Sequence, residues 1–197
     1  MGLLISFSGV DGAGKSTQIR RVSKYLRGQK KKVFVTEMMF GYSFLKPLVK
    51  FLRSATKSSD GGPVRRNVNN RLYELWFVLA FVDIWYSYLF RVKPLVEKND
   101  FVVADRFYTD IWANLLFYGY IPQWAFVFFI KLLPRSEKAF ILLESPEVGQ
   151  KRSSEFPLSY YRQQSAIYSK LAGLTKCFVI DANKDPKAVF GQIRSYL

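Results

Sequence analysis

Short apolar runs alternate along this chain with segments of helical period. Residues 3–8 form an apolar run that leads into a glycine-rich turn, and residues 16–26 carry apolar side chains at helical spacing, so the order reads strand, loop, helix. Val33, Phe34 and Val35 predict a second strand within residues 32–36, and residues 44–52 predict a helix whose start is bent by Pro47. Residues 54–70 break the pattern. They collect Ser, Asn, Asp60, Gly61, Gly62 and Pro63 with Arg65 and Arg66, the composition of an exposed loop. A long helix is predicted from about Arg71, a strand over residues 100–104 ending at Asp105, and two further strands over residues 139–143 and 177–180. Five strands alternating with helices predict an α/β domain whose parallel sheet is covered on both faces. No internal repeat or long linker interrupts the 197 residues, so one domain spanning residues 1–197 is expected.

Composition narrows the classes. Hydrophobic residues make up 49% and aromatic residues 17%, which excludes a disordered chain and predicts a core rich in Phe and Tyr. Thirty Lys and Arg against fifteen Asp and Glu give a net charge of +15, a field that attracts nucleotides, nucleic acid or acidic membrane surfaces without choosing among them. The one cysteine, Cys177, lies in an apolar run and there is no histidine, which excludes a disulfide framework, a Cys-cluster zinc site and any His-based triad or metal centre.

Two stretches, residues 72–90 and 111–130, are apolar enough to resemble membrane spans. Glu74 and Asp83 interrupt the first, and Gly119 and Pro122 the second, so both are expected to be helices of the domain and not spans. The opening residues Met1 to Ser6 formally fit an acylation pattern but read directly into the first strand, and no secretory signature precedes them. The cytoplasm is the expected location.

The chemistry sits first in Gly9-Val10-Asp11-Gly12-Ala13-Gly14-Lys15-Ser16, which satisfies G-x-x-x-x-G-K-[ST] with the required strand before it and helix after it. Glycines let consecutive backbone N–H groups curl around phosphate oxygens, the helix N-terminus adds positive potential, and Lys15 reaches the outer phosphates. Ser16 is placed to ligate magnesium, and Thr17 completes the loop's exit. The fold class expected is therefore the P-loop NTPase fold, with ATP and Mg2+ as cofactors. Residues 101–105 read as a strand delivering the Asp105 carboxylate beside that metal. Arg106 follows at once, where a cation neutralises charge on a transferring phosphoryl group; the alternative is a surface Asp–Arg pair. Lys151 and Arg152, beside Ser153 and Ser154, read either as a short cationic lid near residues 150–160 or as a solvated helix face.

These motifs, in this order, resemble the thymidylate kinase family of nucleoside monophosphate kinases along nearly the whole chain. Residues 8–18 look like that family's P-loop, with the acidic residue at Asp11 that in the family contacts the acceptor's sugar hydroxyl. Asp105-Arg106-Phe107 is similar to its Asp-Arg-Tyr/Phe motif, whose arginine contacts the acceptor phosphate. Pro146-Glu147-Val148-Gly149 with Lys151 and Arg152 resembles the fourth-strand exit and lid start, and Asp181-Ala182-Asn183 the loop bordering the donor adenine. The resemblance implies transfer of the γ-phosphoryl of ATP to dTMP by Lys15, Asp11, Arg106 and Arg152, with Ser16 and Asp105 at the metal, Asn183 by the adenine, and a homodimer.

The departures lie on the acceptor side. No arginine stands near Glu37, none stands at Ile84 in the long helix, Asp110 replaces a serine, and the lid is short. Arg65, Arg66, Arg71 or Lys46 are alternative cations for the acceptor phosphate. A kinase for a nucleoside or other small acceptor, and a non-catalytic ATP-binding regulator, stay open as alternatives. No nucleic-acid recognition motif is present, so nucleic acid is not an expected partner.

Overall fold

The structure, a computed structural model, describes residues 2–38 and 71–197. The helix expected over residues 44–52, the loop over 54–70, and Lys46, Arg65 and Arg66 lie outside the described residues, as does the side chain of Arg71. Five strands, β1 (Leu3–Gly9), β2 (Val33–Glu37), β3 (Phe101–Asp105), β4 (Lys138–Leu143) and β5 (Phe178–Asp181), form one sheet in the order β2-β3-β1-β4-β5. All four pairings are parallel.

The central strands are apolar along their length because both of their faces are covered. Alternate residues of each strand point to opposite sides. Ile5, Phe7, Val103, Phe140, Leu142 and Ile180 pack against Ile19, Val22 and Leu26 of α1 (Lys15–Gly28) and Val189 and Ile193 of α8 (Pro186–Arg194). Leu4, Val102, Ala104 and Ile141 face the other way, into a larger aromatic core. That second layer contains α2 (Arg71–Ser87), α3 (Lys93–Lys98), α4 (Tyr108–Phe117), α5 (Gln123–Phe129) and α7 (Leu158–Leu174), while α6 (Pro146–Ser153) begins at the carboxyl edge of β4. Trp112, Tyr108, Tyr161 and Tyr168 are among the largest fully buried side chains, as the aromatic composition predicts.

Between α2 and α3 the helix widens into a π-turn over Tyr88–Val92. Pro94, at the start of α3, has no N–H to donate to the carbonyl four residues back, so the turn before it loosens instead of continuing at α pitch. The second apolar stretch divides in the same way. Gly119, at φ 74°, follows the end of α4, and Pro122 caps the start of α5. Among the described residues no helix is long and apolar enough to cross a membrane.

The sheet order runs outward in both directions from β1, so the loops leaving β1, β3 and β4 gather at the carboxyl edge, the place where open α/β sheets bind ligands.

Candidate active site

The turn from β1 to α1 carries the phosphate-binding motif. Gly12 has φ +92°, and a Cβ there would stand 2.7 Å from the carbonyl oxygen of Gly149, so only glycine lets the loop lie flat against α6. Val10 and Ala13 anchor the loop through buried side chains, and Ala13 N donates to Val10 O at 3.2 Å. Gly14, in the left-handed region, caps α1, leaving the first-turn N–H groups directed at the loop. Thr17 is exposed in that first turn.

Lys15 is buried, and its ammonium donates to the carbonyl oxygens of Gly9 at 2.9 Å and Val10 at 2.8 Å, with Asp11 4.0 Å away. Burial, then the neighbouring Arg106, push its pKa down to about 8 against the pull of the Asp11, Asp110 and Asp105 carboxylates. An ammonium held on carbonyls inside the loop is one that phosphate oxygens can take over.

On the flank of the loop, Ser16 Oγ donates to Asp105 Oδ2 at 3.2 Å. The two come together because Asp105 ends β3 in register with Phe7 of β1. They offer hard oxygen ligands, and among the described residues no cluster of three or more His, Cys, Asp or Glu exists to hold a metal unaided. That donor set fits magnesium, which takes one or two protein oxygens and completes its shell with phosphates and water.

Arg106 sits in the left-handed region at φ 63°, a strained conformation for a side-chain-bearing residue, with its N–H bonded to Phe7 O at 2.9 Å. Its guanidinium pairs with Asp11 of the P-loop. Burial opposes its charge, but Tyr168, Asp110, Asp11 and Asp105 outweigh burial and its pKa rises. Tyr160, from the first turn of α7, donates its hydroxyl to the other Asp11 oxygen at 3.3 Å. Burial and Asp11 raise the Tyr160 pKa, so that hydroxyl keeps its proton.

Beneath Arg106 lies Asp110, fully buried. Its carboxylate accepts from Ser8 Oγ at 2.6 Å, Phe107 N at 2.8 Å and Tyr168 Oη at 2.7 Å. The residue that departs from the family pattern thus ties the end of β1, the start of α4 and the middle of α7 to one carboxylate. Burial and then Asp110 raise the Tyr168 pKa.

At the other end, Arg152 packs against the loop, where a Cβ on Gly12 would lie 3.4 Å from the Arg152 Cβ. Its guanidinium donates to Glu144 Oε2 and to Ala182 O, each at 3.1 Å. Asn183 accepts from Ser145 N at 3.0 Å and Ser145 Oγ at 3.2 Å, and donates to Asp181, so it joins the β4 exit to the β5 exit. Arg152 and Asn183 are therefore held at the β4 and β5 exits, Arg106 at the β3 exit on Asp11, and Lys15 within the loop. Ser154, at φ 59°, and the three residues after it are all that separate α6 from α7.

On the acceptor side, Glu37 is exposed at the end of β2 and Ile84 is buried in the aromatic core, so neither position supplies a cation. Phe77 and Phe81 of α2 pack edge-on against Trp112 and Phe129, a core arrangement. Sequence reasoning missed Ser8, Glu144, Tyr160 and Tyr168. Glu144 had a signal, a carboxylate straight after an apolar strand at the carboxyl edge. Tyr160 and Tyr168 had none, because their partners are 149 and 58 positions away.

A thymidylate kinase of Chlorobaculum tepidum is 26% identical over 98% of this chain and 95% of its own length, and a probable thymidylate kinase 2 of Saccharolobus solfataricus is 27% identical over 100% and 95%. The chain is a sequence relative of the thymidylate kinases. A thymidylate kinase of Bifidobacterium longum matches at 33% identity over 106 residues, so in that match the chain spans about half the length of its relative, 48%. No family model matches. The crystal structure of thymidylate kinase from Ehrlichia chaffeensis superposes with a TM-score of 0.58 over 99% of this chain and 98% of that one at 20% identity, which shows the shared fold. This thymidylate kinase relative carries the P-loop NTPase architecture with its Lys15, Ser16, Asp105 and Arg106 gathered at one edge.

Proposed function

We propose that the chain is an ATP-dependent nucleoside monophosphate kinase that moves the γ-phosphoryl of ATP to dTMP. The observation that carries this reading is the meeting at the P-loop of two pairs, Ser16 with Asp105 and Asp11 with Arg106. Phosphoryl transfer needs positioning and charge neutralisation and no covalent intermediate. Magnesium, held by Ser16 and Asp105, supplies neutralisation of the donor phosphates. Lys15 leaves the Gly9 and Val10 carbonyls for the outer phosphates, Arg106 holds the acceptor phosphate facing them, and Asp11 receives the acceptor's sugar hydroxyl. Arg152 and Asn183 bound the donor base. Gly149 lies against Gly12, so α6 and the short connection to α7 act as the lid and exclude water from the rim.

The same proposal includes a single domain, a cytoplasmic location and a homodimer. For the homodimer, Val78, Val82, Trp85, Tyr86, Leu89 and Phe90 expose an apolar stripe along α2 and its π-turn, and Trp124, Phe128 and Leu132 continue it. Phe90 is 66% and Trp124 63% exposed, and Trp85 Nε1 bonds Leu132 O at 3.1 Å, joining the two halves. A patch of this kind marks an association surface.

The deciding experiment is incubation with ATP, magnesium and a panel of nucleoside monophosphates and nucleosides. Phosphorylation of dTMP to dTDP, lost in Lys15→Ala, is the expected result. Phosphate gained only by an uncharged nucleoside would refute the acceptor, and no turnover with ATP still bound would refute the activity.

A further inference from the structure

A cavity of about 550 Å3 runs between α1 and β2 away from the Ser16–Asp105 pair at its near end, with Arg20, Ser23, Lys24 and Arg27 on its helical wall and Val35 and Thr36 on its strand wall. Three features of it have no part in the reaction above. The first is charge: between Asp11 and Glu37 the chain has no acidic residue and eight Lys or Arg. Arg20, Lys24 and Arg27 stand at spacings of four and three, so they share a helix face, where like charges destabilise the helix that carries them. A bound anion removes that cost. The second is the shape of the array, a row spanning about 10 Å along the helix axis and not a single point. The third is Ser23, which is 3% exposed and whose Oγ has no hydrogen-bond partner, although it lines this cavity. A buried hydroxyl left unpaired is costly, and in a residue that lines a cationic cavity a side-chain rotation brings an anion oxygen within reach as its acceptor.

We propose that the α1–β2 cavity is a second anion site that takes a phosphate chain, that of a nucleoside polyphosphate or of inorganic polyphosphate. The Glu37 and Asp105 carboxylates stand at the Ser16 end, so the chain of phosphates lies toward Arg27, with Ser23 Oγ donating to one phosphoryl oxygen. Ser23, Lys24 and Arg27 belong neither to the P-loop nor to the Ser16–Asp105 pair, so the proposal requires that the two sites fill independently. The inference does not rest on the kinase reading.

The test is equilibrium dialysis of labelled tripolyphosphate with the full chain, the P-loop being saturated by the β,γ-methylene analogue of ATP. Titration of that analogue alone is the control, so a failure of the P-loop reading shows there and not here. One tripolyphosphate per chain is expected, weakened about tenfold or more by Lys24→Ala with Arg27→Ala, and severalfold by Ser23→Ala, which changes no charge. Affinity for the ATP analogue should be the same in all variants. A nucleoside triphosphate that competes better than tripolyphosphate identifies the nucleotide as the source, and equal competition identifies the inorganic chain; both support the site. Binding that fails to saturate, binding indifferent to Ser23→Ala, or capture of a single-stranded oligonucleotide in place of tripolyphosphate overturns it.

Discussion

Glu144 makes the stability of this fold depend on pH, in a direction opposite to that of most carboxylates. Its side chain is 1% exposed, Oε2 accepts from Arg152, and Oε1 is buried without a partner beside Gly149, where an added Cβ would stand 2.8 Å from it. Burial raises its pKa from 4.5 to about 7, and Arg152 and Lys15 only partly offset that. A folded-state pKa above the unfolded one means the folded chain holds the proton more tightly, so the contribution is most favourable below pH 4.5 and is lost as pH rises through 7. At about 1.4 kcal/mol for each tenfold change, the loss between pH 5 and pH 8 is about 2–3 kcal/mol. Glu144→Gln keeps an acceptor for Arg152 and removes the titration. Urea unfolding of both proteins at pH 5, 6, 7 and 8 gives the difference in stability, from which all other titrating groups cancel. The variant should gain on the wild type by about 2–3 kcal/mol across that range, most steeply between pH 5 and 7. Curves that stay parallel would refute the assignment of a buried, proton-holding Glu144.

Three further outcomes follow from the site. Lys15→Ala should cut kcat by about a thousandfold or more, with the fold retained by circular dichroism, because the ammonium that meets the phosphates is gone. Asp110→Asn should destabilise by about 3 kcal/mol in urea unfolding, since an amide nitrogen then faces Ser8, Phe107 or Tyr168, all of them donors. Val82→Asp with Phe90→Asp should leave the chain monomeric in sedimentation at concentrations where the wild type is a dimer, and a monomeric wild type would remove the dimer from the proposal.

The sheet was legible because the buried strands carry their own signature, apolar on both faces, and the P-loop because its glycines, lysine and serine leave little freedom in where they sit. The long helix was legible in its start and not in its π-turn, although Pro94 was visible; a proline tells where the hydrogen-bond ladder breaks, not how the backbone accommodates the break. Asp105 and Ser16 were expected together and stand 3.2 Å apart, since Asp105 ends β3 and Ser16 opens α1 just after the loop that leaves the adjacent parallel strand β1. Arg152 was placed at the right helix without its partner. Glu144 and the Ala182 carbonyl, which hold it, are fixed by the pairing of β4 with β5, and no local spacing encodes that. Asp110 stood out only as a departure from a pattern. Its three donors come from β1, α4 and α7, so its meaning is tertiary.

The same logic makes Asp11 the residue whose role changes during the proposed reaction. In the free chain it neutralises Arg106, lies 4.0 Å from Lys15 and accepts from Tyr160, so the cation meant for an acceptor phosphate is already paired. An acceptor phosphate must take Arg106 from Asp11, and the freed carboxylate then has the sugar hydroxyl as its partner. Asp11→Asn removes the competitor without removing the cation. Because the pair is only partly exposed, at 13% and 30%, its loss is worth about 1–2 kcal/mol to an incoming anion. Inorganic phosphate, which carries no sugar, should therefore bind Asp11→Asn about tenfold more tightly than the wild type, while turnover of a nucleotide acceptor falls. Calorimetric titration of phosphate reads the first effect and steady-state kinetics the second. If phosphate binds the variant no better, Asp11 is not the group that holds Arg106 in waiting, and the exchange of partners between carboxylate and phosphate is wrong.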